Sequence, residues 1–363
     1  RLGFWPAPDH PSHHSLNDQV AAGDPEFEPV LAKSLDNPAY ILPTGGTTGA
    51  PKAVTLSHRN LVSNAWQVFY WAGGFEAREK MLTVLPFFHS YGLTTCGMAG
   101  VAMAATLVMH HRFVPRIVLR LIEEHQPSIF PTVPAMLAAL NEHLRDRPIQ
   151  FKAMRYVISG GASLSAEIAD EFVRHSGSTV VEGYGMSEAS PVICTGPLDG
   201  TNRPGTIGLP LPETDVKIVD AETGDRVLAV GEVGELAVRG PQVMLGYWKN
   251  QSATDLIIKD GWLLTGDLGK RDDDGFFTIV DRKKDVIITS GFNVYPADVE
   301  PVLRECPGVE DVAIVGVPDA LCGELVKAVV SVKASATFDE RHFKAFAAEH
   351  LSKHKQPKLI EVI

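Results

Sequence analysis

The stretch Thr44–Lys52, TGGTTGAPK, is the most informative part of this 363-residue sequence. The backbone can turn tightly and present N–H groups to an anion at its three glycines, Gly45, Gly46 and Gly49. Hydroxyl donors come from its three threonines, Thr44, Thr47 and Thr48. Lys52 adds a mobile positive charge that suits phosphate oxygens. Together these groups predict a loop that binds a polyphosphate.

The residues on either side of this loop predict regular structure. Tyr40-Ile41-Leu42 before it predicts a buried strand, and Ser57 after it predicts the N-cap of a helix that runs to about Tyr70. Strand, glycine-rich loop and helix form a common phosphate-binding arrangement. The stretch is not a Walker loop, because Lys52 follows Ala50-Pro51 rather than a glycine, and no Ser or Thr comes after it.

Composition restricts the functional class. With 45% hydrophobic residues, the chain can bury one large core and a second, smaller one. The net charge of −11 argues against a nucleic-acid partner, because such partners favour a basic face. The four cysteines form no CxxC pair, which indicates a reducing cytosol and neither a zinc site nor a disulfide framework. Since no apolar run reaches membrane-spanning length and no secretory signal opens the sequence, we expect a cytoplasmic protein.

The pattern of apolar residues divides the chain into four parts. Residues 1–37 are rich in proline and charge and are typical of a linker. Residues 38–205 alternate short strands with amphipathic helices, which predicts a layered α/β domain. Residues 206–283 carry strand-like runs without long helices and predict a β-rich subdomain, and residues 284–363 predict a small α+β domain. The expected fold class is therefore α/β, with a β-rich subdomain and a small C-terminal α+β domain.

Within the α/β part, the alternation is specific enough to place individual elements. Strands are predicted at Ala39–Leu42, Met81–Leu85, Thr106–Met109, Ser128–Phe130, Arg155–Ser159 and Thr179–Val181. Helices are predicted at Pro115–His125, Pro134–Arg145 and Ala166–His175.

A second motif, Val181–Glu188 (VEGYGMSE), follows one of these strands. Gly183 and Gly185 free the backbone for a close approach, and Tyr184 offers a flat face on which a planar base can stack. Glu188 is a hard oxygen ligand suited to magnesium. Taken alone, however, this segment favours a tyrosine-bearing turn with a solvated carboxylate.

Further segments have an ordinary structural explanation beside a functional one. Ser159–Ser163 (SGGAS) is an ordinary strand-to-helix turn as readily as a functional loop. Trp262–Asp267 (WLLTGD) ends either in a turn-forming Gly-Asp or in a carboxylate that accepts hydrogen bonds from both ribose hydroxyls. Val280–Asp285 (VDRKKD) is a charge run, which usually marks a solvated face. From Leu85–Gly92 (LPFFHSYG) alone, His89 is expected to be buried and hydrogen bonded.

Taken together, these motifs resemble those of the adenylate-forming superfamily, which includes acyl-CoA synthetases, firefly luciferase and nonribosomal peptide adenylation domains. TGGTTGAPK resembles its phosphate loop TSG(S/T)TGxPKG, and the TGGTTG variant looks like the fatty-acyl-CoA ligase branch. VEGYGMSE resembles its YGxTE motif with Ser187 in place of Thr, and VDRKKD resembles its DRxKD linker. Gly234–Gly240 and Gly291–Glu300 match two further segments, so the resemblance runs from about Tyr40 to the last residue.

The resemblance implies roles for particular residues. It implies nucleotide binding at Thr44, Gly45, Gly46, Thr47, Thr48, Gly49, Gly161, Ala162, Glu182, Gly183, Tyr184, Gly185, Ser187, Asp267 and Arg282. Adenine would stack on Tyr184, magnesium would bind at Glu188, and Lys52 would contact the phosphates. His89 would gate or position the substrate carboxylate, Lys284 would be a domain hinge, and Gly291 would line the path of the thiol.

The implied function is an ATP-dependent acyl-CoA synthetase that uses ATP, Mg²⁺ and coenzyme A. We expect a medium- or long-chain fatty acid, first because of the TGGTTG variant. The second ground is that small residues after His89 leave room for an acyl tail, although they equally mark tight helix packing. These residues are Gly97, Ala99, Gly100, Ala102, Ala104 and Ala105. The alternatives are an enzyme that loads an acyl or aminoacyl group onto a carrier-protein phosphopantetheine, and a non-catalytic protein that binds a nucleotide or acyl-adenylate.

The resemblance also implies that the sequence is part of a longer polypeptide. Family members carry an extended region before the phosphate loop and, after the position of Ile363, a loop whose lysine contacts the reacting carboxylate and the α-phosphate. Without that lysine, we expect poor adenylation. The sequence leaves the oligomeric state and any peripheral contact with a membrane surface open.

Overall fold

The computed structural model describes residues 34–44, 52–74, 76–319, 321–334 and 336–363. Within these ranges the strands, in chain order, are β1 (Pro38–Thr44), β2 (Lys52–Ser57), β3 (Lys80–Thr83), β4 (Thr106–Met109), β5 (Ile129–Thr132), β6 (Tyr156–Gly160), β7 (Val180–Gly185), β8 (Val192–Thr195), β9 (Leu209–Pro210), β10 (Asp215–Val219), β11 (Gly234–Arg239), β12 (Gly246–Tyr247), β13 (Ile258–Lys259), β14 (Trp262–Arg271), β15 (Phe277–Arg282), β16 (Ile287–Thr289), β17 (Phe292–Val294), β18 (Val309–Asp319), β19 (Gly323–Val332) and β20 (Leu359–Val362).

The helices connect and cover these strands. They are α1 (His58–Trp71), α2 (Ala99–Ala102), α3 (Pro115–His125), α4 (Pro134–Asp146), α5 (Ala166–Ser176), α6 (Gln251–Ile257), α7 (Pro296–Arg304) and α8 (Glu340–His350). A π-helix at Gly92–Met98 leads into α2, and a 3₁₀ turn lies at Ser187–Ala189. Across the described ranges, no helix has the length and apolarity needed to cross a membrane.

A seven-stranded sheet carries most of the first half of the chain. Its strand order is β4-β3-β5-β6-β7-β8-β9, in which β4 to β7 pair in parallel and β8 and β9 add in antiparallel. Because strand residues alternate between the two faces, Leu82 and Phe130 pack against α3 and α4 on one face, whereas Met81 and Ile129 pack toward α1 on the other. The mixed α/β architecture that the sequence predicts is confirmed.

The residues that follow the predicted phosphate loop form a strand, which corrects the expected strand–loop–helix arrangement. Residues 52–57 form β2, which pairs in antiparallel with β1 so that Thr44 faces Lys52 across the hairpin. The helix begins only after β2, and its N-cap is Ser57 as predicted, because the Ser57 side chain accepts a hydrogen bond from the Asn60 backbone N–H. The loop therefore connects two strands of a hairpin, and β12 adds to the other edge of β2.

Two further sheets form the second half of the chain. β10, β11, β14 and β13 pair in that order, and β15 also pairs with β14. The last sheet has the order β17-β16-β19-β18 with β20 on β19, and it packs with α7 and α8 around one core. These elements match the β-rich and α+β patterns of the sequence. The domain boundaries drawn from it stay a prediction, since β9 and β12 from beyond residue 205 join sheets of the first part.

Candidate active site

A cavity of about 380 Å³ lies on the α1 face of the seven-stranded sheet. Strand register arranges its floor in three rows, which are Met81, Ile129 and Tyr156 at one end, Pro131 and Ile158 in the middle, and Gly160 and Gly183 at the other end. Since Tyr156 and Gly160 are four residues apart on β6, the two end rows are about 13 Å apart at roughly 3.3 Å per residue. Val68 and Met103, which pack with Met81 and Ile129, also line the apolar end.

Polar groups gather at the carboxyl ends of the strands, where the cavity meets the motifs that the sequence singled out. Of the predicted site residues, Thr44, His89, Gly161, Gly183, Tyr184, Gly185, Ser187, Glu188 and Arg282 line it. Parallel strands bring their carboxyl ends to one edge of a sheet, which explains why motifs from β6 and β7 meet here. The cavity therefore has one polar end and one apolar end.

The Tyr184 ring is held by the aspartate of the WLLTGD segment. The Tyr184 hydroxyl donates a hydrogen bond to Asp267 Oδ2 at 2.6 Å, and Arg282 Nε lies 3.7 Å from Asp267 Oδ1. Burial raises the pKa of Tyr184, and burial also raises the pKa of Asp267, although the Tyr184 hydrogen bond and Arg282 act against it there. Three segments that are distant in sequence thus form one cluster of an aromatic face, a carboxylate and a guanidinium.

Glu188 is a buried carboxylate in the 3₁₀ turn that follows β7. It is 7% exposed, its backbone carbonyl accepts a hydrogen bond from Met244 N, and its Oε1 accepts one from the Tyr247 hydroxyl at 2.8 Å. Ser187 Oγ lies 3.2 Å from Ser90 Oγ. In the described residues, no group of three or more His, Cys, Asp or Glu side chains is arranged to hold a metal ion. A single carboxylate still fits Mg²⁺, which commonly binds one or two carboxylates together with substrate phosphates and waters.

Lys52 and Thr44 lie at the ends of the phosphate loop. Thr44 Oγ1 donates a hydrogen bond to the Lys52 carbonyl at 3.1 Å, and Lys52 Nζ lies 4.9 Å from the centre of the Tyr247 ring. Gly45, Gly46, Thr47, Thr48 and Gly49 lie outside the described residues. The hairpin therefore brings the two ends of the predicted loop beside the cavity rim.

His89 is exposed at the cavity rim, so the expectation of a buried histidine from its segment alone is wrong. Its Nδ1 accepts a hydrogen bond from the Tyr91 backbone N–H at 3.2 Å, which leaves Nε2 on the far side of the ring from this contact. Because Pro86 and Phe87 precede it in an exposed turn, the residue sits where burial ends rather than in the core.

Glu182 and Ala162 are predicted site residues that do not line the cavity. Glu182 Oε2 accepts a hydrogen bond from Leu164 N at 3.3 Å, and burial raises the pKa of this carboxyl. The contact fastens the segment after Gly161, which adopts a φ of +80°, a backbone conformation that favours glycine. Ala162 is exposed next to Gly161.

Lys284 and Gly291 lie beyond the cavity lining. Lys284 is exposed between β15 and β16, in the segment that connects the β-rich sheet to the last sheet. Gly291 adopts a φ of +79° at the turn between β16 and β17. Lys284 thus lies in the connection to the C-terminal unit and Gly291 lies beyond it, and the hinge and thiol-path roles that the resemblance implies for them stay predictions.

None of the six small residues that follow His89 lines the cavity. A Cβ added to Gly100 would lie 2.6 Å from Leu107 Cδ2, and Ala99 is fully buried. After His89, this segment contributes Ser90, Tyr91, Thr95 and Met103 to the cavity lining. The expectation that these small residues make room for an acyl tail is therefore wrong, and at Ala99 and Gly100 close packing is the structural reason.

Sequence reasoning missed Tyr247, which contacts both Lys52 and Glu188. Its only local signal is a short apolar run, Val243–Trp248, with Gly246 at a φ of +142°. That run predicts at most a short strand and carries no chemical signature.

Comparison with known proteins identifies relatives of both halves of the chain. A family model described as AMP-binding enzyme matches residues 6–248, and one described as AMP-binding enzyme C-terminal domain matches residues 298–363. A long-chain-fatty-acid–CoA ligase of Bacillus subtilis is 42% identical over 319 residues, which are 88% of this chain and 57% of that protein. The chain thus spans little more than half the length of this relative.

Solved structures with the same fold include nucleotide complexes. The ATP-bound crystal structure of MatB from Rhodopseudomonas palustris is 35% identical with a TM-score of 0.87, and the match covers 95% of this chain and 68% of that one. The O-succinylbenzoate coenzyme A synthetase of Bacillus subtilis, in complex with ATP and a magnesium ion, is 31% identical with a TM-score of 0.83, and the match covers 95% of this chain and 70% of that one.

Proposed function

This chain belongs to the AMP-binding enzyme family, and on that premise we propose that it acts in the ATP-dependent activation of a fatty acid and its transfer to coenzyme A. The reaction would pass through an acyl-adenylate. The observation that carries the proposal is that one cavity has Tyr184, Glu188 and Arg282 at its polar end and is apolar at its other end.

At the polar end, Tyr184, Asp267 and Arg282 already contact one another and would bind the nucleotide together with the phosphate loop. Because its hydroxyl is tied to Asp267, the Tyr184 ring presents a fixed flat face for the adenine. Asp267 and Arg282 would contact the ribose or the α-phosphate, and the loop 45–49 would contact the other phosphates. The glycines Gly161, Gly183 and Gly185 would permit the close approach of the nucleotide to the backbone.

Glu188 would hold Mg²⁺ against the phosphates, and Lys52 would add a positive charge beside it. When bound, the ion would neutralise phosphate charge as the pyrophosphate leaves. The chain supplies no nucleophile in this scheme, since the carboxylate of one substrate and the thiol of the other attack. Its contribution is therefore to position the reactants and to stabilise charge.

The apolar end would bind the acyl tail. The distance of about 13 Å between the end rows is enough for roughly ten carbons of an extended chain, at about 1.3 Å per carbon. Each buried methylene group contributes about 0.8 kcal/mol to binding, which favours medium or long chains over acetate. His89, at the cavity rim, would position the carboxylate, and Lys284 and Gly291 would serve the thiol-transfer step as hinge and thiol path.

The test is to incubate the full polypeptide with Mg·ATP, coenzyme A and carboxylates from acetate to stearate, and to identify the products by mass spectrometry. We expect acyl-CoA, AMP and pyrophosphate, with little product from acetate. Glu188→Gln should lower the rate, whereas Glu213→Gln, a change at an exposed position, should not. Acyl-adenylate without thioester would instead indicate a carrier-protein loader, and ATP binding without turnover would indicate a non-catalytic binder.

A further inference from the structure

Tyr247 lies between the two charged residues that the proposed function uses, although it belongs to neither motif. Its ring is 4.9 Å from Lys52 Nζ on one side, and its hydroxyl donates a hydrogen bond to Glu188 Oε1 at 2.8 Å on the other. Tyr247 is 9% exposed and Glu188 is 7% exposed, so the contact between them is largely shielded from water, whereas Lys52 is exposed. Contacts of this kind with a cation and an anion are stronger when they are desolvated.

The position of Tyr247 is fixed by backbone pairing as well as by these contacts. β12 pairs with β2, in the register Tyr247 with Val54, so that the ring is anchored to the same strand that begins at Lys52. Tyr247 N donates a hydrogen bond to Thr254 Oγ1, and the adjacent Met244 N donates one to the Glu188 carbonyl. Both the backbone and the side chain of Glu188 are therefore held by the same short segment, Met244–Tyr247.

The two carboxylate oxygens of Glu188 have different contacts. Oε1 is occupied by the Tyr247 hydroxyl, which fixes the carboxylate rotamer and leaves Oε2 to contact a cation. Partners that orient a metal-ligating carboxylate typically change metal affinity about 10–100-fold when they are removed.

We infer that Tyr247 is a positioning residue that orients Glu188 for Mg²⁺ through its hydroxyl and orients Lys52 for the phosphates through its ring. This inference rests on the proposed function, because it assumes that Glu188 and Lys52 meet a magnesium nucleotide. Two substitutions distinguish the role of the hydroxyl from the role of the ring. Tyr247→Phe removes only the hydroxyl, and Tyr247→Leu removes the aromatic ring as well.

The experiment measures ATP binding by calorimetry with the full polypeptide, once with Mg²⁺ and once with EDTA. Tyr247→Phe should reduce the gain in affinity that Mg²⁺ provides by about 10–100-fold and leave the affinity in EDTA within about twofold of the original. Tyr247→Leu should also weaken binding in EDTA. Tyr70→Phe is the matched control, because Tyr70 is 63% exposed on α1 and lies outside the cavity lining.

A double-mutant cycle links the effect to Glu188. In a Glu188→Ala background, Tyr247→Phe should no longer change the Mg²⁺-dependent gain, because the carboxylate that it orients is gone. If Tyr247→Phe lowers both affinities equally together with the melting temperature, Tyr247 is merely structural and the inference is overturned. It is also overturned if the original chain binds Mg·ATP and Tyr247→Phe binds it equally well. If the unsubstituted protein binds no ATP under either condition, the proposed function is overturned as well.

Discussion

The dimensions of the apolar end of the cavity predict which length of fatty acid the protein prefers. The middle row contains Ile158 and the end row contains Tyr156, two residues apart on β6, so the rows are separated by about 6.6 Å. That distance corresponds to roughly five carbons of an extended chain at about 1.3 Å per carbon. Ile158→Phe would fill the space beyond the middle row, whereas Tyr156→Ala would open the end row.

The expected magnitude follows from the transfer free energy of methylene groups. Five carbons at about 0.8 kcal/mol each amount to roughly 4 kcal/mol. This free energy is a factor of about 10³ in kcat/KM, since every 1.4 kcal/mol is about tenfold. The unsubstituted protein should therefore favour decanoate over pentanoate by about 10³-fold, and Ile158→Phe should remove most of that preference. Tyr156→Ala should shift the preference toward acids longer than decanoate.

The assay is acyl-CoA formation measured for even and odd acids from four to eighteen carbons. Val101→Phe is a suitable control, because it adds the same aromatic group on α2 at a side chain that is 76% exposed. Thermal unfolding of each variant separates a changed preference from a loss of folded protein, since overpacking a core commonly costs about 1–3 kcal/mol. If Ile158→Phe activates decanoate and pentanoate in the original ratio, the cavity is not the acyl site.

Other substitutions test the support of the site. Glu79→Gln should lower the free energy of unfolding in urea by about 1–3 kcal/mol, because the buried Glu79 carboxylate pairs with Arg155 and accepts a hydrogen bond from Ser128 Oγ at 2.5 Å. Gly185→Ala should abolish ATP binding measured by calorimetry, since its Cβ would lie 2.0 Å from the carbonyl oxygen of Pro191 and force the strand before Glu188 to shift. Burial raises the pKa of Asp267, so its contribution to stability is present below its ordinary pKa and is lost as pH rises through the raised value. Urea unfolding of Asp267→Asn should accordingly depend less on pH across that window, and an unchanged pH profile would contradict the assignment.

Local patterns in the sequence predict most of the seven-stranded sheet. β4 and α3 lie at Thr106–Met109 and Pro115–His125 as predicted, because each has a strong period and clear flanking signals. The motif residues of β6 and β7 meet at one edge because parallel strands align their carboxyl ends. The functions assigned to these residues stay predictions.

Contacts between distant segments could not be predicted in this way. The strand character of residues 52–57 depends on pairing with both β1 and the distant β12, and the role of Tyr247 depends on its contact with Glu188. Neither partner leaves a mark in the local sequence, because β propensity is largely a property of the neighbours that a strand packs against. The exposure of His89 was missed for a similar reason, since a short apolar segment does not show where the core ends.

The pairing of β2 with β12 also has a consequence for the order in which the protein folds. Asn60, at the start of α1, donates a hydrogen bond to the carbonyl of Pro241, 181 residues later in the chain. At a synthesis rate of about 5–20 residues per second, the hairpin of β1 and β2 would emerge from the ribosome on the order of 10–40 s before β12, the third strand of its sheet. During that interval one edge of β2 has no strand to pair with, and such edges promote association with other chains. Chaperone dependence during synthesis is therefore expected to be greatest before residue 247 has emerged.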